Sequence, residues 1–141
     1  METIDYNKKF LDFAIRIVNL KKYLNEKKHE YTIADQIMRS GTSIGANHRE
    51  AVYAESRDDL VHKLSIAQKE CNETMYWLEL LRATDYISCE QYDSLYNNAK
   101  ELMRILSASI VKMKKNNRVI TKKENDRFYM LPDHIRNLFV K

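Results

Sequence analysis

The chain has 141 residues, 44% apolar and 31% charged, with a net charge of +4. Two glycines and one proline are too few to turn a many-stranded sheet, so the composition points to one domain of long helices. No run of 18 apolar residues is present and the opening METIDYNKKF has no apolar signal core, so the expectation is a cytoplasmic protein without a membrane span.

The first predicted helix, residues 5–27, carries Phe10, Phe13, Ile17, Leu20 and Leu24 at alternating three- and four-residue spacing, one apolar seam. Beside it Leu11, Ala14, Ile15 and Val18 form a second apolar edge, which leaves Asp12, Arg16 and Asn19 as a narrow polar stripe. A helix with one wet side should show a wider polar face. The second edge therefore points to a further buried surface and to a homo-oligomer.

The second helix, 32–54, has a seam of mostly small residues: Ile33, Ile37, Ser40, Ile44, Asn47, Ala51 and Ala54. Thr32 with Asp35 reads as its N-cap. Both glycines of the chain, Gly41 and Gly45, fall here on one line with Ala34, Met38, His48 and Val52. Each costs about 1 kcal/mol against alanine inside a helix. A close helix crossing offsets that cost, and the partner helix belongs either to the same chain or to another subunit. Asn47, with Ser43 and Glu50 one turn to either side, reads as a buried polar residue that fixes helix register. No GxxxxGK[ST] phosphate loop is present.

The third helix, 57–84, continues the pattern with Leu60, Leu64, Ala67, Cys71, Thr74, Leu78 and Leu81, opened by Ser56 with Asp59. The fourth, 88–114, carries Tyr92, Leu95, Ala99, Leu102, Leu106, Ser109 and Met113. Ser88 and Gln91 form a capping box, with Ile87 and Tyr92 as its hydrophobic staple. Trp77 and Leu80, then Met103 and Ile110, lie outside the seams and add to the second apolar surface. Connections of a few residues make sequential helices antiparallel neighbours. The expected fold is an all-α, up-and-down antiparallel four-helix bundle over residues 1–114, with a basic C-terminal tail over 115–141. In that tail Pro132 and Asp133 open a short helix through Phe139, with Ile135, Leu138 and Phe139 as a docking face.

The charge is uneven. Residues 112–141 hold nine Lys/Arg and three acids, a net +6, which leaves −2 for residues 1–111. Lys112, Lys114, Lys115, Arg118, Lys122 and Lys123 are candidate phosphate contacts. Phe128 and Tyr129 either stack on bases or pack back on the bundle with the rest of 128–131. A second group, Arg39, Arg49, Arg57 and Lys63, would ring a pore if the oligomer forms, although the negative balance of the bundle weakens that field.

Catalytic signals are sparse. His29, His48, His62 and His134 make no HExxH and no Cys/His ligand spacing, so no metal and no cofactor are expected. GxSxG is absent, and Asp58 and Asp59, adjacent on a helix, point apart. Cys71 reads as a core residue and Cys89 as a thiol near a helix start, both reduced. The expectation is not an enzyme.

The stretch SGTSIGANHREA, Ser40–Ala51, resembles the SxSIxANxxE signature of bacterial four-helix-bundle proteins encoded by intervening sequences in 23S rRNA genes. The likeness continues through LSIAQKECNETMYWLELL, Leu64–Leu81, and DYIS, Asp85–Ser88, and spans about residues 5–114. Ala51 stands where that family has a glycine after its Glu, Glu70-Cys71 stands for its GS pair, and Asp85 for its turn glycine. The tail after Lys115 has no counterpart. The resemblance implies a bundle that assembles as a ring, commonly a homopentamer, without catalytic activity. The related accessory proteins of diversity-generating retroelements form basic pentameric barrels that bind nucleic acid and a reverse transcriptase. RNA or DNA, and an enzyme that handles it, are therefore implied partners. The alternative is a protein–protein interaction scaffold with no nucleic-acid binding.

Overall fold

Apolar residues at alternating three- and four-residue spacing become four long helices in the computed structural model, which describes residues 5–119 and 132–136. They are α1 (Tyr6–Lys28), α2 (Thr32–Val52), α3 (Arg57–Ala83) and α4 (Cys89–Val119), followed by a single turn, α5 (Asp133–Arg136). No strand occurs among the described residues. Lys114 to Asn117 carry no glycine or proline stop, and α4 runs on to Val119, past the boundary expected after residue 114.

Side-chain pairings fix the topology. Asn7 meets Arg49 and Lys21 meets Asp35, so α1 and α2 are antiparallel. Lys63 meets Glu50 and Arg39 meets Glu70, which reverses α3 against α2. Gln68 bonds Ser107 and the Cys71 thiol lies 3.2 Å from the Ala99 carbonyl, which reverses α4 against α3. Lys9 bridges to Glu101, and Arg16 reaches Asn98 and Ser94, closing α1 on α4. This is the expected up-and-down bundle. Every seam residue predicted for α1 and α3 is buried, as are those of α4 apart from half-buried Tyr92.

The seam of α2 differs from its prediction. Its buried residues are Ala34, Ile37, Ser40, Gly41, Ile44, His48 and Ala51. One predicted line, Ile37–Ile44–Ala51, is correct, as is Ser40; the other predicted positions, Ile33, Asn47 and Ala54, are half-buried, and Ala34, Gly41 and His48 are buried in their place. Asn47 is only half-buried, and its amide donates to the Ser43 carbonyl of its own helix at 2.8 Å. The buried polar residue is His48, one position on, because the face that holds the glycines continues to it.

The glycines do permit a close crossing, and the partner is α1 of the same chain. A Cβ on Gly41 would lie 2.8 Å from both Cγ atoms of Ile17. A Cβ on Gly45 would sit 3.4 Å from the Phe10 Cβ and 3.5 Å from its carbonyl oxygen. At Gly45 it is the backbone of α1 that approaches; at Gly41 it is a branched side chain. On the other side of α2, the hydroxyls of Ser40 and Thr74 lie 2.9 Å apart in the core and let α3 pack close.

Caps end the helices largely where expected. The Ser88 hydroxyl accepts from Gln91 N at 3.1 Å and the Gln91 side chain accepts from Ser88 N at 2.8 Å, a complete capping box. Ser56 accepts from Asp59 N at 3.0 Å. Thr32 does not cap α2, because it is already the first helical residue. Glu30 does this work: its carboxylate accepts from Ile33 N at 2.9 Å and Ala34 N at 2.8 Å. His29 and Asp85 end α1 and α3 with left-handed backbones, φ 51° and 64°.

Candidate nucleic-acid interface

The antiparallel order puts the start of α1, the end of α2, the start of α3 and the end of α4 at one end of the bundle. Most predicted cations gather there: Arg49 at the end of α2, Arg57 and Lys63 at the start of α3, and Lys112, Lys114 and Lys115 at the end of α4. Arg118 lies on α4 with its side chain outside the described part, and Lys122, Lys123, Phe128 and Tyr129 lie outside the described residues. Cations in the last turns of α4 also suit the negative end of its dipole.

Local acids offset much of this charge. Lys63 pairs with Glu50 at 3.1 Å and Lys112 with Asp133 at 3.0 Å; Arg49 instead donates to the neutral amide of Asn7 at 3.2 Å, which leaves its charge in place. Arg39, halfway along α2, is held by Glu70 and Glu73 of α3. Lys114 and Lys115 are exposed, and no ion pair among the described residues engages them. Of the five structural candidates, Gly41 and Gly45 face α1, and Glu50 serves Lys63. The Ser43 hydroxyl returns to the Arg39 carbonyl at 2.6 Å, and Asn47 stays within its own helix.

Around the same end the C-terminal segment returns to the bundle. Pro132 and His134 are buried there. The His134 ring stacks on His48, with centroids 5.2 Å apart, and His48 stacks on Phe10 at 4.1 Å. Tyr6 meets His134 edge-on at 5.0 Å. The expected docking residues Leu138 and Phe139 lie outside the described residues. The sequence reading missed His134 as an anchor; its one signal was the position two residues after the chain's only proline, at a helix start.

Burial dominates the perturbed groups of the core. It pushes the Cys71 thiol up to about 12, which makes it an inert core residue. It lowers His48 to about 3, helped by His134 and Arg49, and His134 to about 4, helped by Lys112 and opposed by Asp133. Exposed Cys89 accepts from Arg82 Nη2 at 2.8 Å and Nε at 3.2 Å. Among the described residues no group of three or more His, Cys, Asp or Glu side chains is placed to hold a metal. No helix among them is long and apolar enough to cross a membrane.

The second apolar edge of α1 remains on the surface. Leu11 is 52% and Ile15 49% exposed. A groove of about 360 Å³ runs alongside, between α1 and α2, lined by Leu11, Ala14, Thr42, Gly45 and Ala46.

Four antiparallel helices with a small-residue crossing at Gly41 and Gly45 define a helical-bundle protein. The chain belongs to the 23S rRNA-intervening sequence protein family, whose pattern matches residues 2–108. It is similar to a crystal structure of a protein of unknown function from the S23 ribosomal protein family of Bacteroides thetaiotaomicron. That likeness has 54% identity and a TM-score of 0.73, and covers 74% of this chain and 96% of the other. No curated protein matches the chain.

Proposed function

We propose that the protein is a non-enzymatic homo-oligomer, a pentamer in keeping with the resemblance, that associates with nucleic acid as an accessory factor in the cytoplasm. The observation that carries this is the gathering of Arg49, Arg57, Lys63, Lys112, Lys114 and Lys115 at one end of the bundle. A ring of subunits would repeat that end around its axis and multiply the local field. Exposed Leu11 and Ile15 beside the α1–α2 groove supply an apolar contact for a neighbouring copy. The family name, which refers to an intervening sequence of 23S rRNA, is in keeping with an RNA or DNA partner; an enzyme such as a reverse transcriptase is a partner implied by the resemblance to retroelement accessory proteins alone. The non-enzymatic part rests on Cys71, His48 and His134, whose perturbations come from burial in packed core and not from a cleft.

The test is a titration of RNA and of DNA with the full chain at low and moderate salt, beside a Lys114→Glu/Lys115→Glu variant. The expected result is binding that falls with salt and a variant whose salt slope is smaller by about 2. Absence of salt-sensitive binding by the full chain overturns the reading. A protein-interaction scaffold is the second reading, favoured by Tyr76, which is exposed and packs edge-on against Trp77 on the outer side of α3. It expects no salt-sensitive binding, and a partner protein lost on Tyr76→Ala.

A further inference from the structure

The contact between α5 and the bundle is built from groups that the proposed function does not use. Three rings are layered there: Phe10 of α1, His48 of α2 and His134 of α5, with interplanar angles of 11° and 19°. His48 is fully buried and neither of its ring nitrogens has a hydrogen-bond partner. Ser109 of α4 donates its hydroxyl proton to the Ile105 carbonyl at 2.7 Å, and its oxygen lies 3.1 Å from both ring nitrogens of His134, a position over the ring that neither N–H points at. Asp133 pairs with Lys112 on the outside of the contact.

We propose that α5 is a proton-operated latch: it docks on the bundle while His134 and His48 are neutral, and it is released when they take up protons.

A neutral imidazole fits this place and an imidazolium does not. Neutral His134 brings one N–H and no net charge into this contact. A protonated ring brings a second N–H into a contact whose other faces are the His48 ring and the edge of Tyr6. The charged neighbours give it little help. From α1 the facing group is the Tyr6 phenol; from α2 it is Arg49, beside His48; from α4 it is Lys112. On α3, Lys63 is engaged by Glu50. Asp133 of α5 favours the charged ring, but Lys112 already holds its carboxylate.

His134 docked lies at about 4, below the 6.5 of a free imidazole. The released form therefore binds more protons between those values. For His134 alone the released-to-docked ratio rises about tenfold for each pH unit below 6.5, until about pH 4. His48 steepens this to the extent that release lets water reach it. Release also separates Lys112 from Asp133 and returns that cation to the end of α4. The family match ends at residue 108, short of α5.

The test follows the histidine ring protons of the full chain by NMR from pH 8 to pH 5, with helix content recorded by circular dichroism. The expected result at pH 8 is proximity of the His134 ring to Tyr6 and Ser109, lost on acidification while helix content holds. His134→Phe keeps an aromatic ring without a proton to gain, and is expected to stay docked down to pH 5. Three results overturn the latch: no His134 contacts at pH 8, contacts that persist while His134 protonates, or a Phe variant released over the same pH range as the unaltered chain.

Discussion

The two glycines differ in what they face, and that sets opposite signs for one substitution. An alanine methyl at Gly41 would press into Cγ1 and Cγ2 of Ile17, with Cβ only 3.2 Å away. A β-branched side chain has little rotamer freedom with which to yield. Gly41→Ala should therefore destabilise the bundle by about 1–3 kcal/mol, although alanine is the better helix former. Gly45→Ala meets Phe10 at ordinary contact distance and should gain about 0.5–1 kcal/mol from helix propensity. Chemical denaturation of both variants checks this; equal shifts would show that the crossing does not discriminate them. Asp85 is a related case. Its φ is 64° and its side chain is 90% exposed, so Asp85→Gly should raise the melting temperature, by the equivalent of about 0.5–1 kcal/mol.

At the scale of the element, α2 depends on a carboxylate outside it. Glu30 satisfies two of the four amides that a helix start leaves open, and it is buried while doing so. Glu30→Ala should cost about 1–2 kcal/mol, and should raise amide exchange at Ile33 and Ala34 before that of the helix centre. A denaturation midpoint unchanged from the unaltered chain would show the cap to be dispensable. This cap was not legible in the sequence, because the Ser/Thr/Asp pattern drew attention to Thr32 and Asp35, and a Glu three residues ahead of a helical N–H is a less common arrangement. The helices themselves were legible because burial repeats at a period set by backbone geometry. The line Ile37–Ile44–Ala51 came through since each member is apolar. Its neighbouring line was displaced at both ends: Ile33 outweighed Ala34 by hydrophobicity, and Asn47 and His48 are both polar, so composition did not separate them. The candidate cations were legible as a list, but not their neutralisation. Glu70, Glu73 and Glu50 reach Arg39 and Lys63 only across a helix interface. His134 against His48 is a contact between distant parts of the chain, which no local pattern encodes.

At the scale of the whole molecule, acid and assembly test different surfaces. His48 lies at about 3 in the folded chain and near 6.5 when unfolded, so the unfolded state binds the extra proton between those values. Its contribution is complete above pH 6.5 and is lost as the pH falls toward 3, with a limiting slope of about 1.4 kcal/mol per unit. His48→Leu should flatten that limb of the stability curve measured by denaturation. The proposed assembly would draw on the other side of α1. Leu11 and Ile15 are about half exposed in the single chain, and covering the rest of each side chain would contribute about 1 kcal/mol per residue at each interface. Closed rings repeat one contact around the axis, so a small change at one face is multiplied over the assembly. A carboxylate buried there without a partner costs several times what the apolar contact contributes, about 2–7 kcal/mol or more. Leu11→Glu/Ile15→Glu should therefore reduce the molar mass in light scattering to that of one chain, while helix content is kept, since both positions already face solvent in the folded subunit. A multimeric mass in the variant equal to that of the unaltered chain would remove this edge of α1 from the assembly and leave the outer side of α3, at Tyr76 and Trp77, as the next face to substitute.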